Sequence, residues 1–143
     1  MSECKRDVMF DEKWRRILVG ERVARLATHT DGGRIHLVPV CYAYSGEDIF
    51  IGTSLDSKKV RNLELNSDVT LLVDIYVEDW SRLKGVMIQG KGVVIKGGKE
   101  FEEARKLLYE KYPQYQKYAA IEEGESAIIK IKPEKAVSWD YES

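Results

Sequence analysis

The chain has 143 residues, with 23 Lys and Arg set against 24 Asp and Glu and a formal net charge of -1 at pH 7. That length supplies one core of ordinary size, and the near-zero balance exerts no overall pull towards DNA, RNA or an anionic membrane, so any anion site must be built from local charge. Cys4 and Cys41 make no disulfide framework, and no stretch approaches the roughly 18 continuous apolar residues of a membrane span or the apolar segment of a secretion signal. The expectation is a cytoplasmic chain forming one domain over residues 1–143, with residues 1–8 as a flexible tail.

Asp11 is placed to cap a helix in which Trp14, Ile17 and Leu18 share one face and which Gly20 stops. Arg22 to Thr28 then reads as a strand, Asp31-Gly32-Gly33 as a turn, and Arg34 to Tyr44 as a second strand that completes a hairpin. After the turn Ser45-Gly46-Glu47-Asp48, Ile49 to Thr53 reads as a third strand antiparallel to the second, which makes a meander of the three. From Ser54 or Asp56 to about Leu65 the spacing is helical, with Val60, Leu63 and Leu65 towards the core and Lys59, Asn62 and Asn66 less constrained.

Val69 to Val77 and Arg82 to Ile95 read as strands, and Gly85, Gly90 and Gly92 within the second point to a bend or a close backbone approach. Phe101, Ala104, Leu107 and Leu108 have helical spacing that ends near Pro113, and Ala127 to Ile131 and Lys135 to Trp139 read as two strands on either side of Pro133. Six or seven strands joined mostly by short turns predict a mainly β fold, an antiparallel barrel with peripheral helices rather than a doubly wound parallel sheet.

The chemistry concentrates in Ser57-Lys58-Lys59-Val60-Arg61-Asn62-Leu63, directly after the strand Ile49 to Thr53. Lys58, Lys59 and Arg61 face only the single negative charge of Asp56, and a helix capped by Ser54, Asp56 or Ser57 would add free N–H groups and its dipole to the same potential. That arrangement suits a phosphate, although an exposed charge run without a ligand is a common surface feature. Pro39 removes a ladder donor from an otherwise regular strand, which calls for an edge, a bulge, a ligand or a dimer contact.

His29 and His36 bracket the first turn and could approach each other, but a metal site lacks a third ligand. Cys41 is expected as a small buried residue rather than a nucleophile. Asp79-Trp80-Ser81-Arg82 and Trp139-Asp140-Tyr141 either line a pocket or cap the core, and Tyr109, Tyr112, Tyr115 and Tyr118 are expected to pack a C-terminal helix. No dinucleotide fingerprint, Walker sequence, HExxH pair or G-x-S-x-G elbow is present.

Taken in order, Arg25-Leu26-Ala27-Thr28, Val38-Pro39-Val40-Cys41-Tyr42, the Ser57 to Leu63 segment, Val69 to Asp74, Asp79 to Arg82 and Gln89-Gly90-Lys91-Gly92 resemble the pyridoxamine 5'-phosphate oxidase-like, FMN-binding split-barrel superfamily. The resemblance extends to its small members, which include deazaflavin (F420)-dependent reductases. It implies a six- or seven-stranded antiparallel split β-barrel and a homodimer with cofactor sites at the subunit interface. It also implies that Lys58 and Lys59, with Arg61 and Asn62, hold the cofactor phosphate while Val38, Pro39, Val40 and Tyr42 lie along the ring. Trp80, Gln89 and Trp139 would complete the pocket from the facing subunit.

The implied activity is that of a flavoprotein oxidoreductase, transferring a hydride between FMN and a small-molecule substrate, with an F420-dependent reductase as the alternative on the same fold. A flavin- or haem-binding protein without turnover is the alternative of another class. The C-terminal Arg-x-His arrangement of true pyridoxamine phosphate oxidases is missing, since neither histidine lies beyond His36.

Overall fold

The computed structural model describes residues 2–4 and 12–140, so Asp11, Tyr141 and residues 5–8 of the expected tail lie outside it. Along the chain the elements are β1 (Ser2–Cys4), α1 (Glu12–Gly20), β2 (Ala24–His29), β3 (Ile35–Val40), β4 (Ala43–Tyr44), β5 (Ile49–Ser54), α2 (Lys58–Leu65) and β6 (Asp68–Ile75). A 3-10 turn at Trp80–Arg82, β7 (Lys84–Ile95), α3 (Lys99–Lys111), α4 (Tyr115–Tyr118) and β8 (Ser126–Asp140) complete it. Seven strands form one antiparallel sheet in the order β3-β2-β6-β7-β8-β5-β4, curled into a half-barrel, and β1 pairs with the end of β8.

The two end strands of that sheet, β3 and β4, are neighbours in the chain, so Cys41-Tyr42 carries the backbone from one end of the sheet to the other. Arg34 to Tyr44 is therefore not one strand: β3 pairs with β2, whereas Ala43 and Tyr44 pair with Phe50 and Ile49 of β5. The expected meander breaks where Tyr42 turns inward. This side chain is fully buried, its hydroxyl donates to the Leu18 carbonyl at 2.6 Å, and its N–H donates to the Tyr112 hydroxyl at 3.3 Å.

Alternation along β2 and β3 follows from the same hairpin. Thr30 N–H donates to the Arg34 carbonyl at 2.8 Å, which makes every second pair outward from it a hydrogen-bonded one: Thr28 with His36, Leu26 with Val38, Ala24 with Val40. The odd-numbered residues of β3 then turn their N–H and C=O groups to the free edge of the sheet. Pro39 occupies one of these positions opposite Arg25, so its missing N–H costs no ladder bond.

Residues 126–140, expected as two strands around Pro133, form the single strand β8. Pro133 lies opposite Gly90, where the β7–β8 register shifts, and a bulge is where a strand tolerates the loss of a donor. Gly90 answers the expectation of a close backbone approach, because a Cβ there would stand 2.1 Å from the Lys132 carbonyl oxygen.

The barrel interior is filled by Trp14, Leu26, Ile51, Leu71, Ile88 and Ile129, and α3 covers a second apolar layer with Phe101, Ala104 and Leu108 over Phe50 and Ile128. Helix α2 buries Val60, Asn62 and Leu63, while Leu65 is 66% exposed because it lies about 140° around the helix from Val60.

Two substitutions test this account. Gly90→Ala should lower stability by about 3 kcal/mol, read from the urea midpoint, because the methyl group meets backbone rather than a movable side chain. Tyr42→Phe should cost about 1–2 kcal/mol by leaving the buried Leu18 carbonyl without its donor.

Candidate functional site

Helix α2 is capped by Ser57, whose Oγ accepts from Val60 N–H at 3.4 Å. Three residues of its first turns, Lys58, Lys59 and Asn62, share one face at three- and four-residue spacing. Asn62, expected to be less constrained than Val60 and Leu63 and to help hold a phosphate, is buried and donates through Nδ2 to Thr28 Oγ1 at 3.1 Å, which pins this face of the helix to β2. Lys59 is half-buried as a consequence, and burial holds its ammonium below the ordinary lysine range. Lys58 is exposed beside it.

Among the described residues neither lysine has a carboxylate partner, whereas Lys91 pairs with Asp68, Lys96 with Glu64 and Arg25 with Asp74. Arg61 is turned back on its own segment, its Nη1 donating to the Asp56 carbonyl at 2.9 Å. Asp56 accepts from Ser54 Oγ at 2.6 Å; that bond, a backbone hydrogen bond and the Arg61 charge hold its carboxyl below the usual range.

Opposite Thr28 in the β2–β3 register sits His36, on the same inward face. Its Nδ1 is buried and without a hydrogen-bond partner, and burial together with the Lys58 and Lys59 charges keeps the imidazole below its ordinary pKa. His29 and His36 do not approach as a ligand pair: His29 stands opposite Ile35 on the outward face, and no cluster of three metal-ligating side chains exists among the described residues. The sequence singled out neither Thr28 nor His36 as a site residue, although hairpin parity places both beneath the start of α2.

The residues expected along a cofactor ring divide by face. Val40 and Tyr42 are buried, and Val38 packs against the barrel core, so these side chains serve the interior. Pro39 faces outward, in a row with Arg25, Leu72, Met87 and Val137 across five strands. Leu72, Met87 and Val137 in this row are only partly buried among the described residues, and Leu37 beside it is 63% exposed. Gln89 is exposed on the outward face opposite Thr70 and Lys135.

Trp80, 66% exposed, and Trp139 lie at the far end of the sheet from α2. The length of β6, about 23 Å at the rise of an antiparallel strand, separates them from Lys58 and Lys59 within one chain. Trp139 packs on Gly85 and lines a cleft of about 260 Å3 with Lys13, Arg16, Lys84 and Asp140. Cys41, expected to be buried, is an exposed free thiol because it lies on the crossing between β3 and β4 while Tyr42 takes the interior position.

The tyrosine series packs α3 as expected through its first three members. Tyr109 OH accepts from Ile121 N–H at 2.9 Å, Tyr112 is buried and meets the Tyr115 ring edge-on, and Tyr118 is exposed. The series also shelters Lys111, whose Nζ lies 3.9 Å from the centre of the Tyr42 ring with no hydrogen-bond partner. Burial first, then the Arg22 charge, pushes its pKa down to about 8.

A family profile described as pyridoxamine 5'-phosphate oxidase matches residues 10–140, and the chain belongs to this family. The curled half-barrel is its split-barrel fold, and the family includes both flavin-binding enzymes and haem-binding proteins without catalysis. Among solved structures, a conserved hypothetical protein from Mycobacterium tuberculosis superposes with a TM-score of 0.79 at 22% identity, over 94% of this chain and 86% of that one. A haem-binding protein from Mycobacterium smegmatis superposes with a TM-score of 0.75 at 18% identity, over 92% of this chain and 57% of that one. An FAD-binding protein from Mesorhizobium loti gives a TM-score of 0.74 at 22% identity, over 88% and 89%. At such identities the likeness is one of fold. No curated protein matches the chain. No helix among the described residues is long and apolar enough to cross a membrane.

Lys111 yields a pH prediction. The unfolded lysine stays protonated to about pH 10.5 while the folded one loses its proton near pH 8, so the unfolded state binds more protons in that interval and stability rises with pH. Tyr42, Tyr112 and Tyr115, held above the usual phenol range by burial, oppose this only above about pH 10. The thermal midpoint should climb between pH 8 and pH 10, and Lys111→Met should raise it at pH 7 and remove the climb.

Proposed function

We propose that the chain binds FMN with its phosphate on Lys58 and Lys59, as a homodimer with two sites between subunits, and serves as a flavin-dependent oxidoreductase for a small-molecule substrate. The observation that supports it is a pair of lysines without carboxylate partners among the described residues, one of them half-buried, next to an imidazole nitrogen without a partner there. Partial desolvation of a cation such as Lys59 is costly unless a ligand supplies negative charge. Asn62 holds the helix that carries them, whereas Arg61 donates to the Asp56 carbonyl of its own segment.

The free edge of β3 offers the N–H and C=O of Leu37 and the C=O of Pro39 to the polar rim of a flat ring, while Tyr42 acts from within by fixing the strand's exit. The uncovered outward row from Pro39 to Val137 is the face for a second copy. Since Trp80 and Trp139 stand a strand's length from the lysines of their own chain, they would reach a site only across such an interface, and Gln89, exposed on the outward face, would join them there. When bound, FMN supplies hydride-transfer chemistry, and the protein contributes placement, exclusion of water and the charges around the ring.

The deazaflavin F420 carries a longer anionic tail and needs further cations. Arg25 and Lys91 are paired with carboxylates, and Arg22 stacks on Tyr112 at 4.5 Å and donates to the Lys111 carbonyl, which favours the shorter phosphate of FMN. A second reading, a holder of haem or flavin without turnover, draws support from the likeness to the haem-binding protein of M. smegmatis. The lysine pair also suits haem carboxylates. The free thiol of Cys41 favours a reducing, cytoplasmic setting.

Parallel titrations of the purified protein with FMN, F420 and hemin separate these readings, and bleaching of the bound chromophore by reductant, followed by reoxidation with candidate substrates, separates enzyme from holder. Lys58→Glu combined with Lys59→Glu should weaken FMN binding by at least about 100-fold while leaving the unfolding midpoint in place. Unchanged affinity would remove the phosphate assignment.

A further inference from the structure

We infer that His36 is the proton-accepting member of the anion site: an oxyanion docking on Lys58 and Lys59 drives protonation of this imidazole, so that ligand capture and proton uptake are one event. The inference rests on the anion site proposed above and adds to it a residue and a coupling. Its basis is placement. His36 faces inward opposite Thr28, and Thr28 Oγ1 is the acceptor for Asn62 Nδ2, so strand, strand and helix meet at these three side chains. Lys58 and Lys59 project from the turn of α2 directly before Asn62.

In this cluster the Thr28 hydroxyl oxygen already has a donor, and His36 Nδ1 is buried without a partner. A buried imidazole nitrogen without a partner is a cost that native structures avoid unless the group has other work. The groups that act on the ring are all of one sign. From α2 come the two ammonium groups; β2 presents only the neutral Thr28 on this face, its His29 and Arg25 pointing outward; and burial adds to the lysines in disfavouring the imidazolium. Without a ligand, burial and the two ammonium groups favour the neutral ring.

An anion leaves the burial in place and reverses the charge around the ring. A doubly charged oxyanion on the lysines cancels their repulsion, its own charge attracts a proton to the ring, and the imidazolium then offers N–H donors in place of an orphaned acceptor. The proton comes from solvent, and no bond other than N–H is made or broken. The lysine pair thereby gains a third cation only when the site is filled. Binding becomes tighter as pH falls through the imidazole range, as long as the ligand keeps its own charge.

The chain has two histidines, so its imidazole Cε1–H resonances form two signals, and His29→Gln assigns them. In the free protein the His36 signal should titrate below pH 6.5. At saturating FMN, with binding followed separately by quenching of flavin fluorescence, it should titrate at least about one pH unit higher, while the His29 signal stays in place. Because the FMN phosphate itself titrates near pH 6, affinities of wild type and His36→Gln are compared as a ratio at pH 6.0 and 7.5. The ratio should favour wild type several-fold more at the lower pH.

Sodium sulfate, doubly charged throughout this range, against sodium chloride at equal ionic strength gives a second arm, in which the same upward displacement is expected. Quenching with an unmoved His36 signal overturns the inference and leaves the flavin reading standing. Absence of quenching removes the flavin reading, and the sulfate arm then decides alone: an unmoved His36 there overturns the inference as well.

Discussion

The structure depends on how the chain crosses the open seam of its own sheet. A curled antiparallel sheet leaves two end strands, and here these are β3 and β4, joined through Cys41-Tyr42. The crossing is held because Tyr42 drops into the interior and satisfies groups from two directions. Its hydroxyl caps the Leu18 carbonyl, one of the last-turn acceptors of α1, and its amide donates to Tyr112, whose own hydroxyl donates to the Arg22 carbonyl at 2.7 Å. One buried aromatic thus ties α1, the seam, α3 and the entry of β2. The ammonium of Lys111 over its ring face is the strained part of this knot.

That closure has two consequences at the site. It turns β3 into an edge strand with its outer amides unpaired among the described residues, and it leaves the outward row of Pro39, Arg25, Leu72, Met87 and Val137 partly or fully exposed. The helix that follows β5 plugs the other end of the barrel, and the Asn62–Thr28 hydrogen bond decides its rotation. Rotation matters because Lys58, Lys59 and Asn62 share a face, so anchoring the amide brings the ammonium groups to the rim where His36 lies. A polar anchor costs more to bury than an apolar one. Here it specifies the angle of a helix, which an apolar contact of the same size would leave free to slide.

Much of this was legible in residue order. Trp14, Ile17 and Leu18 marked the inner face of α1, Phe101, Ala104 and Leu108 that of α3, and the glycine density of β7 announced a close approach that Gly90 makes against Lys132. Pro39 announced an edge. The misreadings share one cause: whether an apolar run continues as a strand depends on what lies beside it. Arg34 to Tyr44 reads as one strand although its halves belong to opposite ends of the sheet, and Pro133 reads as a break although its partner strand bulges to receive it. The same blindness hid the burial of Asn62 and the exposure of Cys41.

By itself the sequence determined the strand-rich, turn-linked architecture, the two apolar helix faces and the run of cations that opens α2, because period, turn chemistry and capping act between residues a few positions apart. Only the tertiary structure decided that Lys58 and Lys59 go without carboxylate partners among the described residues, that His36 rather than His29 stands near them, and that Trp80 and Trp139 lie a strand's length away. Those facts depend on register and on helix rotation. Both are set by long-range burial, which no local window of the chain contains.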